Sequence, residues 1–231
     1  MKKFSDQKII DSWSKNAHPW MTAVHEGEIK SRLLITNKAI INTVLARNPK
    51  TVLDVGCGEG WIIRELNKAG IKSLGIDVVP ELIEYANKQG NGRFKILSYQ
   101  ELSSEVIKEK FDLIVCNFSL LGYESVNHVF KQAPSLLNNG GSMIIQTIHP
   151  VTECGDEDYK DGWREGSWKG FNRQFSDPAP WYFRTLETWK VLFLKNGFEV
   201  IDMIEPINPE TNTPASIVFV GTINKHTNFS D

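Results

Sequence analysis

Residues 52–60 read Val-Leu-Asp-Val-Gly-Cys-Gly-Glu-Gly, an apolar strand that runs directly into a glycine-rich turn. Without Cβ atoms, Gly56 and Gly58 let the backbone bend sharply and let a ligand approach it closely. A second apolar run, Leu74-Gly75-Ile76-Asp77, ends in an acid 21 residues past Gly56. A carboxylate at the tip of a neighbouring strand can accept from both hydroxyls of a ribose. Together the two features describe a strand-turn-helix unit with a site for an adenosine-containing cofactor.

The rest of the chain alternates in the same way. Helices are predicted over 5–16 and 27–46, the second from the helical spacing of Ile29, Leu33, Ile40 and Val44. Strands are predicted at 51–55, 72–76, 93–97, 111–116 and 142–148, with helices at 59–69, from Pro80, at 100–109 and at 125–137 between them. Pro80-Glu81 puts a proline and an acid in a first helical turn, and Gly70 stands where a helix-ending glycine belongs. Phe111 to Cys116 is nearly all apolar, as a strand covered on both faces should be. Such alternation implies right-handed crossovers and a doubly wound, mostly parallel α/β sheet. Beyond residue 148 the pattern stops. Residues 150–184 are polar, aromatic and rich in Gly and Pro, with no helical or strand period. A helix at 185–196 and strands at 198–204 and 215–222 follow, and the tail after 224 is expected to be disordered.

Two cofactors compete for the glycine turn. A dinucleotide fingerprint, G-x-G-x-x-G, uses its third glycine to bring the helix against the strand and seat a pyrophosphate. Counted from Gly56 and Gly58, that position is Trp61, whose indole blocks the approach. Asp54 in the strand and Glu59 at the helix start place two carboxylates beside the loop. They repel a pyrophosphate and suit a ligand that bears an ammonium and a sulfonium. In Asp54-x-Gly56-x-Gly58-x-Gly60 the chain resembles the class I S-adenosylmethionine (SAM)-dependent methyltransferases. The resemblance spans residues 50–223 in order of elements. It implies SAM as cofactor, S-adenosylhomocysteine (SAH) as its product, and a seven-stranded sheet of order 3-2-1-4-5-7-6 closed by a C-terminal antiparallel hairpin. The expected organisation is a single domain over 1–231, with an N-terminal helical cap (1–48) and an aromatic-rich insert after the fifth strand (150–184) as a lid over the acceptor site. A SAM-binding protein without catalysis is one alternative. A nicotinamide or flavin oxidoreductase is another, disfavoured by Trp61 and the closing hairpin.

Ligands of open α/β sheets bind outside the carboxyl ends of the strands, where the strand order reverses. That edge offers Asp54, Gly56, Cys57 and Gly58 from the first strand and Asp77 with Val78 from the second. It adds Ser98 and Tyr99 from the third, and Asn117 and Phe118 from the fourth. The resemblance implies that Ser98 stands where an acid often accepts from the adenine amino group. It also implies that Asn117 and Phe118 lie beneath the methionine moiety, and that an N-terminal arginine meets the methionine carboxylate. Arg32 is the fitting position, with Lys30 as a substitute. Cys57 suits the turn as a small residue rather than a nucleophile, because no partner base is visible.

Acceptor chemistry is expected in 149–185, where four of the chain's seven tryptophans fall between 163 and 189. Aromatic faces stabilise a sulfonium and bury a flat acceptor. Arginines hold a carboxylate or phosphate bidentately. Trp163, Arg164, Tyr182 and Arg184 are therefore the candidate acceptor-binding residues. A lid whose aromatics pack only on one another is the plainer reading, and both can hold. The segment also resembles that of a group of bacterial methyltransferases without an assigned substrate, in Thr147-x-His149-Pro150, Asp161-Gly162-Trp163-Arg164-Glu165 and Tyr182-Phe183-Arg184-Thr185-Leu186-Glu187. His149 is the candidate general base, because histidine titrates near working pH and an O–H or N–H acceptor gains from losing its proton. Hydrogen bonding to neighbouring backbone is its structural alternative. The acids from Asp156 to Asp161 lack EF-hand spacing, so no metal is expected.

Bulk properties narrow the function class. A formal charge of -2 gives no attraction to nucleic acid or to an anionic membrane. No apolar stretch approaches the roughly 20 residues of a membrane helix. Met1-Lys2-Lys3 is followed by no apolar segment of the kind a signal peptide needs. Cys57, Cys116 and Cys154 are odd in number and form no CxxC pair, which points to free thiols in a reducing cytoplasm. The expectation is a cytoplasmic SAM-dependent methyltransferase, monomer or homodimer, with a small-molecule acceptor and neither a nucleic acid nor a membrane as partner. Whether O, N or C is methylated stays open.

Overall fold

The strand that ends in the glycine turn, Thr51–Val55 (β1), is an inner strand of a seven-stranded sheet. The computed structural model describes residues 3–171 and 174–223, and the tail after 224 lies outside them. The strands following β1 are Lys72–Asp77 (β2), Arg93–Ile96 (β3), Phe111–Asn117 (β4), Leu137–Thr147 (β5), Gly162–Arg164 (β6), Trp181–Phe183 (β7), Phe198–Ile204 (β8), Ile207–Asn208 (β9), Thr213–Pro214 (β10) and Ile217–Ile223 (β11). The large sheet has the order β3-β2-β1-β4-β5-β11-β8. Counted among its own strands this is 3-2-1-4-5-7-6, the order that the resemblance implies. Its first five strands pair in parallel, and β11 runs antiparallel to both β5 and β8.

The helices are Asp6–Lys15 (α1), Ala17–His25 (α2), Asn37–Leu45 (α3), Trp61–Lys68 (α4), Pro80–Gln89 (α5), Ser104–Ile107 (α6), Glu124–Leu136 (α7) and Leu186–Lys195 (α8). They cover both faces of the sheet, because successive strand residues point to opposite sides. Leu53, Val55, Ile114 and Cys116 join Phe130 of α7 and Phe193 of α8 in one core layer. Val52, Leu113, Val115 and Ile144 join Ile40 of α3 and Ile62 and Leu66 of α4 in the other. Fully burying one such side chain stabilises by about 1.5–3 kcal/mol, so these layers fix the register of the strands.

Four expectations need correction. The helix predicted over 27–46 does not begin at 27: the chain turns there, and Ala17–His25 forms a helix of its own. The later part contains a wide turn, Arg32–Thr36, in which the Asn37 N–H donates to the Arg32 carbonyl. In place of the helix at 100–109 there is a short 3₁₀ turn, Tyr99–Glu101, and then the single turn of α6, because the Ser103 side chain restarts the chain by capping Val106. The strand predicted at 142–148 begins earlier, at Leu137, through a bulged extension that sets Leu137 beside Phe111. The insert is not without strands, for β6 and β7 pair antiparallel within it. No helix among the described residues is long and apolar enough to cross a membrane.

Candidate active site

At the carboxyl ends of β1, β2 and β4 the sheet opens into a cavity of about 590 Å³. One end is built by the glycine turn. Gly56 has φ +77°, and a Cβ there would collide with the Tyr99 hydroxyl and the Ser119 side chain. Gly58 has φ +54°, and a Cβ there would meet only the Trp20 indole nitrogen at 3.8 Å. The face of Gly58 is thus open toward the cavity. Its N–H donates to Asp77 Oδ2 at 2.9 Å, and the Val79 N–H donates to Asp77 Oδ1 at 2.9 Å. Burial pushes the Asp77 carboxyl up, while these N–H groups and that of Val78 hold it down. Each oxygen keeps a lone pair for a ligand hydroxyl.

Several buried polar atoms of the wall have no hydrogen-bond partner: Arg32 Nη1, Thr36 Oγ1, Glu59 Oε1 and Asn117 Oδ1. Arg32 reaches the cavity from the wide turn and lies over the rings of Trp20 (5.2 Å) and Trp61 (5.5 Å). Burial lowers its pKa, opposed by the Glu59 carboxylate. Burial raises Glu59, opposed first by Arg32. A donor cation and unpaired acceptors at one cavity end fit the carboxylate and ammonium of an amino acid moiety. The cavity end made by Val78, Val79 and Tyr99 is mostly apolar, and the Tyr99 hydroxyl donates to the Ser119 carbonyl at 3.2 Å.

Of the candidate cofactor residues, Arg32, Gly56, Cys57, Gly58, Asp77, Val78, Tyr99, Asn117 and Phe118 all line this cavity. Phe118 does so from left-handed backbone (φ +53°), held by its N–H donating to the Gln146 carbonyl at 2.7 Å. Cys57 is buried and its thiol is pushed well up by burial, which leaves it a poor nucleophile. Two candidates stand elsewhere. Asp54 is buried behind the loop rather than on the cavity wall. Ser98 is taken up in a capping box, where its hydroxyl and its N–H both donate to Glu101 Oε2.

The opposite end of the cavity is aromatic. Trp168, Phe171, Trp181, Tyr182 and Phe183 of the insert line it, together with Trp189 of α8 and Trp13 of α1. Trp13 packs edge-on against both Trp20 (5.1 Å) and Trp168 (5.7 Å), which joins the N-terminal helices to the insert. Every tryptophan except Trp163 lines the cavity. Sequence reasoning did not assign Trp13 or Trp20 to the site. Their helical spacing alone marks a buried face without saying what it covers.

Three acceptor-end candidates do not face the cavity. His149 is 4% exposed; its Nδ1 accepts from the Thr152 N–H and its Nε2 donates to Glu205 Oε1 at 3.0 Å, so neither nitrogen is available as a base toward the cavity. Arg164 lies over the Phe183 ring on the outer side, pairs with Glu157 and donates to the carbonyls of Cys154 and Asp158. Trp163 stacks on Phe4 at 6.3 Å. Tyr182 and Arg184 do line the cavity. No group of three or more metal-ligating side chains stands together among the described residues.

The family described as "Methyltransferase domain" matches residues 31–203. The chain belongs to this family. It is 27% identical over 149 residues to a ubiquinone biosynthesis O-methyltransferase of Coxiella burnetii, covering 62% of this chain and 63% of that protein. The match thus spans less than two thirds of that relative's length. Among solved structures, a putative SAM-dependent methyltransferase from Listeria monocytogenes superposes with a TM-score of 0.65 and 24% identity, covering 81% of this chain and 97% of that one. A 1,6-didemethyltoxoflavin-N1-methyltransferase of Burkholderia thailandensis, solved with SAH, has a TM-score of 0.60 and 17% identity, covering 94% of this methyltransferase and 90% of that chain. At these identities the two structures establish the shared fold.

Proposed function

We propose that this methyltransferase transfers the methyl group of SAM to a small-molecule acceptor inside the cavity just described. The observation that carries the reading is the joining of two unlike ends in one cavity. The glycine turn, Asp77 and unpartnered polar atoms form one end, and an aromatic wall forms the other. Arg32 would hold the methionine carboxylate, Glu59 the ammonium and Asp77 the ribose hydroxyls, with Val78 and Tyr99 beside the adenine. Bound SAM supplies an electrophilic methyl group on a sulfonium. The chain's own part is to align the acceptor behind that methyl and to exclude water, which is where the gain from positioning arises. Residues 150–184 and the helices α1 and α2 act as the lid. From the relative named for O-methylation we take oxygen as the first acceptor atom to test. The three free thiols suit a reducing compartment.

Thermal shift and calorimetry with SAM, SAH and NAD test this reading. SAM and SAH should stabilise the protein by mass action and NAD should not. Asp77→Asn, which keeps an acceptor but loses the charge, should weaken SAM by at least about tenfold, the equivalent of one charge-assisted hydrogen bond. Stabilisation by NAD alone would reject the cofactor assignment. Unchanged SAM affinity in folded Asp77→Asn would reject the role of Asp77.

A further inference from the structure

The aromatic end of the cavity contains a buried charge without an ion pair. Arg184 is 2% exposed and lines the cavity, yet no carboxylate stands within the 4.0 Å of an ion pair among the described residues. Its Nη2 donates to the carbonyls of Gly122 (2.8 Å) and Tyr123 (3.2 Å), and its Nη1 to that of Tyr182 (3.4 Å). These neutral acceptors satisfy hydrogen bonds but not charge. The acids Asp6 and Asp161 act on it only from beyond ion-pair distance. Asp6 accepts the N–H groups of Tyr123 and Ser125, and Asp161 accepts that of Thr185. Glu153, which also lines the cavity, is exposed.

The surroundings make the isolated charge costly. The guanidinium lies 4.8 Å from the Tyr182 ring centroid and 5.3 Å from that of Trp189. Burial pushes it down to about 10, against the pull of Tyr182, Asp161 and Asp6. A buried ion without a counter-ion is unfavourable, and an opposite charge brought to it gains more than the same pair would in water. Of the other two arginines near the site, Arg164 pairs with Glu157 outside the cavity. Arg32 also has no ion pair among the described residues, but it stands at the glycine end, where Glu59 acts on it. Arg184 is the cavity cation left for a ligand at the aromatic end.

Resting on the methyltransferase reading above, we propose that the acceptor is a flat, largely apolar molecule carrying one anionic group, a carboxylate or an ionised hydroxyl, and that Arg184 is the residue that selects it. The rings of Trp13, Trp168, Phe171, Trp181 and Trp189 enclose the body of such a molecule, and the guanidinium takes its anion. A neutral analogue lacks the charge gain, and a cationic one meets repulsion.

Calorimetry on SAH-saturated protein tests this, because SAH then already occupies the cofactor end with its own carboxylate. The probes are matched pairs: 4-hydroxybenzoate with 4-hydroxybenzamide, and 2-naphthoate with 2-naphthamide. Each acid should bind at least about tenfold more tightly than its amide, and 2-naphthylmethylamine should not bind. Arg184→Met should reduce the preference to within about threefold, and Arg184→Lys should restore part of it. Amides that bind as well as acids, acids that fail to bind, or a folded Arg184→Met that keeps the preference would each overturn the proposal. Arg184 also holds the 122–123 carbonyls, so if Arg184→Met does not fold the wild-type comparison decides alone. Absence of SAH binding in the same titration strikes the methyltransferase reading, whereas SAH binding without acid preference strikes this inference only.

Discussion

Asp54 lies within β1, 1% exposed, and neither of its carboxylate oxygens has a hydrogen-bond partner. Burial pushes its pKa well up, and the neighbouring Glu59 and Asp77 push it further. An acid whose folded-state value is raised contributes its full stability below the unfolded value, roughly 3.9. That contribution is lost as pH rises through the folded value. Asp54→Asn does not titrate, so its melting temperature should gain on the wild type as pH increases from 4 toward 8 in ligand-free protein. A difference that stays flat or shrinks over that range would show that the fold does not raise the Asp54 carboxyl. At this scale the sequence was informative where function follows from backbone position. Gly56, Gly58 and Asp77 stand on the cavity because a turn without Cβ atoms and a strand-end acid have few other uses. Ser98, His149 and Arg164 could not be placed in the same way. Which way each points is decided by a partner, Glu101, Glu205 and Glu157 respectively, and no local pattern names that partner.

Helix α1 and the segment around Ser176 are joined by two kinds of contact with unequal expected weight. Asp177 accepts from Lys8 Nζ at 2.8 Å and from Lys15 Nζ at 2.5 Å, and these lysines hold its carboxyl down to about 2. Such a depressed value means that the pairs persist above the unfolded value and are lost only as pH falls through about 2. They are partly exposed, and exposed pairs contribute little. Asn16 is fully buried. Its Nδ2 donates to the Ser176 carbonyl at 2.7 Å and its Oδ1 accepts the Ser176 N–H at 2.9 Å. Asn16→Ala would strand the Ser176 N–H, at about 1–3 kcal/mol when buried, while the Ser176 carbonyl keeps the Trp168 indole N–H at 2.9 Å. We therefore expect Asn16→Ala to lower the melting temperature by several degrees and to speed proteolysis of the 165–180 segment. Asp177→Ala should do neither to a similar extent; equal effects from both would contradict this ranking. Elements with a strong internal period, such as β1, β4 and α7, were legible from the sequence. The break between α2 and α3, the bulged start of β5 and the β6–β7 pair were not, since each depends on contacts between distant segments.

The sheet sets the position of the cavity, and the N-terminal helices and the insert after β5 meet over it. Helices from the N-terminal 25 residues and the insert after β5 touch through Trp13 and Trp168, while β11 and β8 extend the sheet beside β5. Alternation marked the sheet as mostly parallel, and its strand order was recoverable only through the resemblance to the class I methyltransferases. The meeting of these two segments was not, because nothing in either names the other. That meeting has an optical consequence. With all indoles but Trp163 set around one space, ultraviolet emission from the unlabelled protein is dominated by groups that a ligand would touch. Titration with SAH should shift that emission saturably, with the midpoint found by calorimetry. Emission that stays constant at calorimetric saturation would mean that the ligand sits away from the indoles. If the shift is present, candidate acceptors can be screened by fluorescence alone, before any turnover is detected and without attaching a dye.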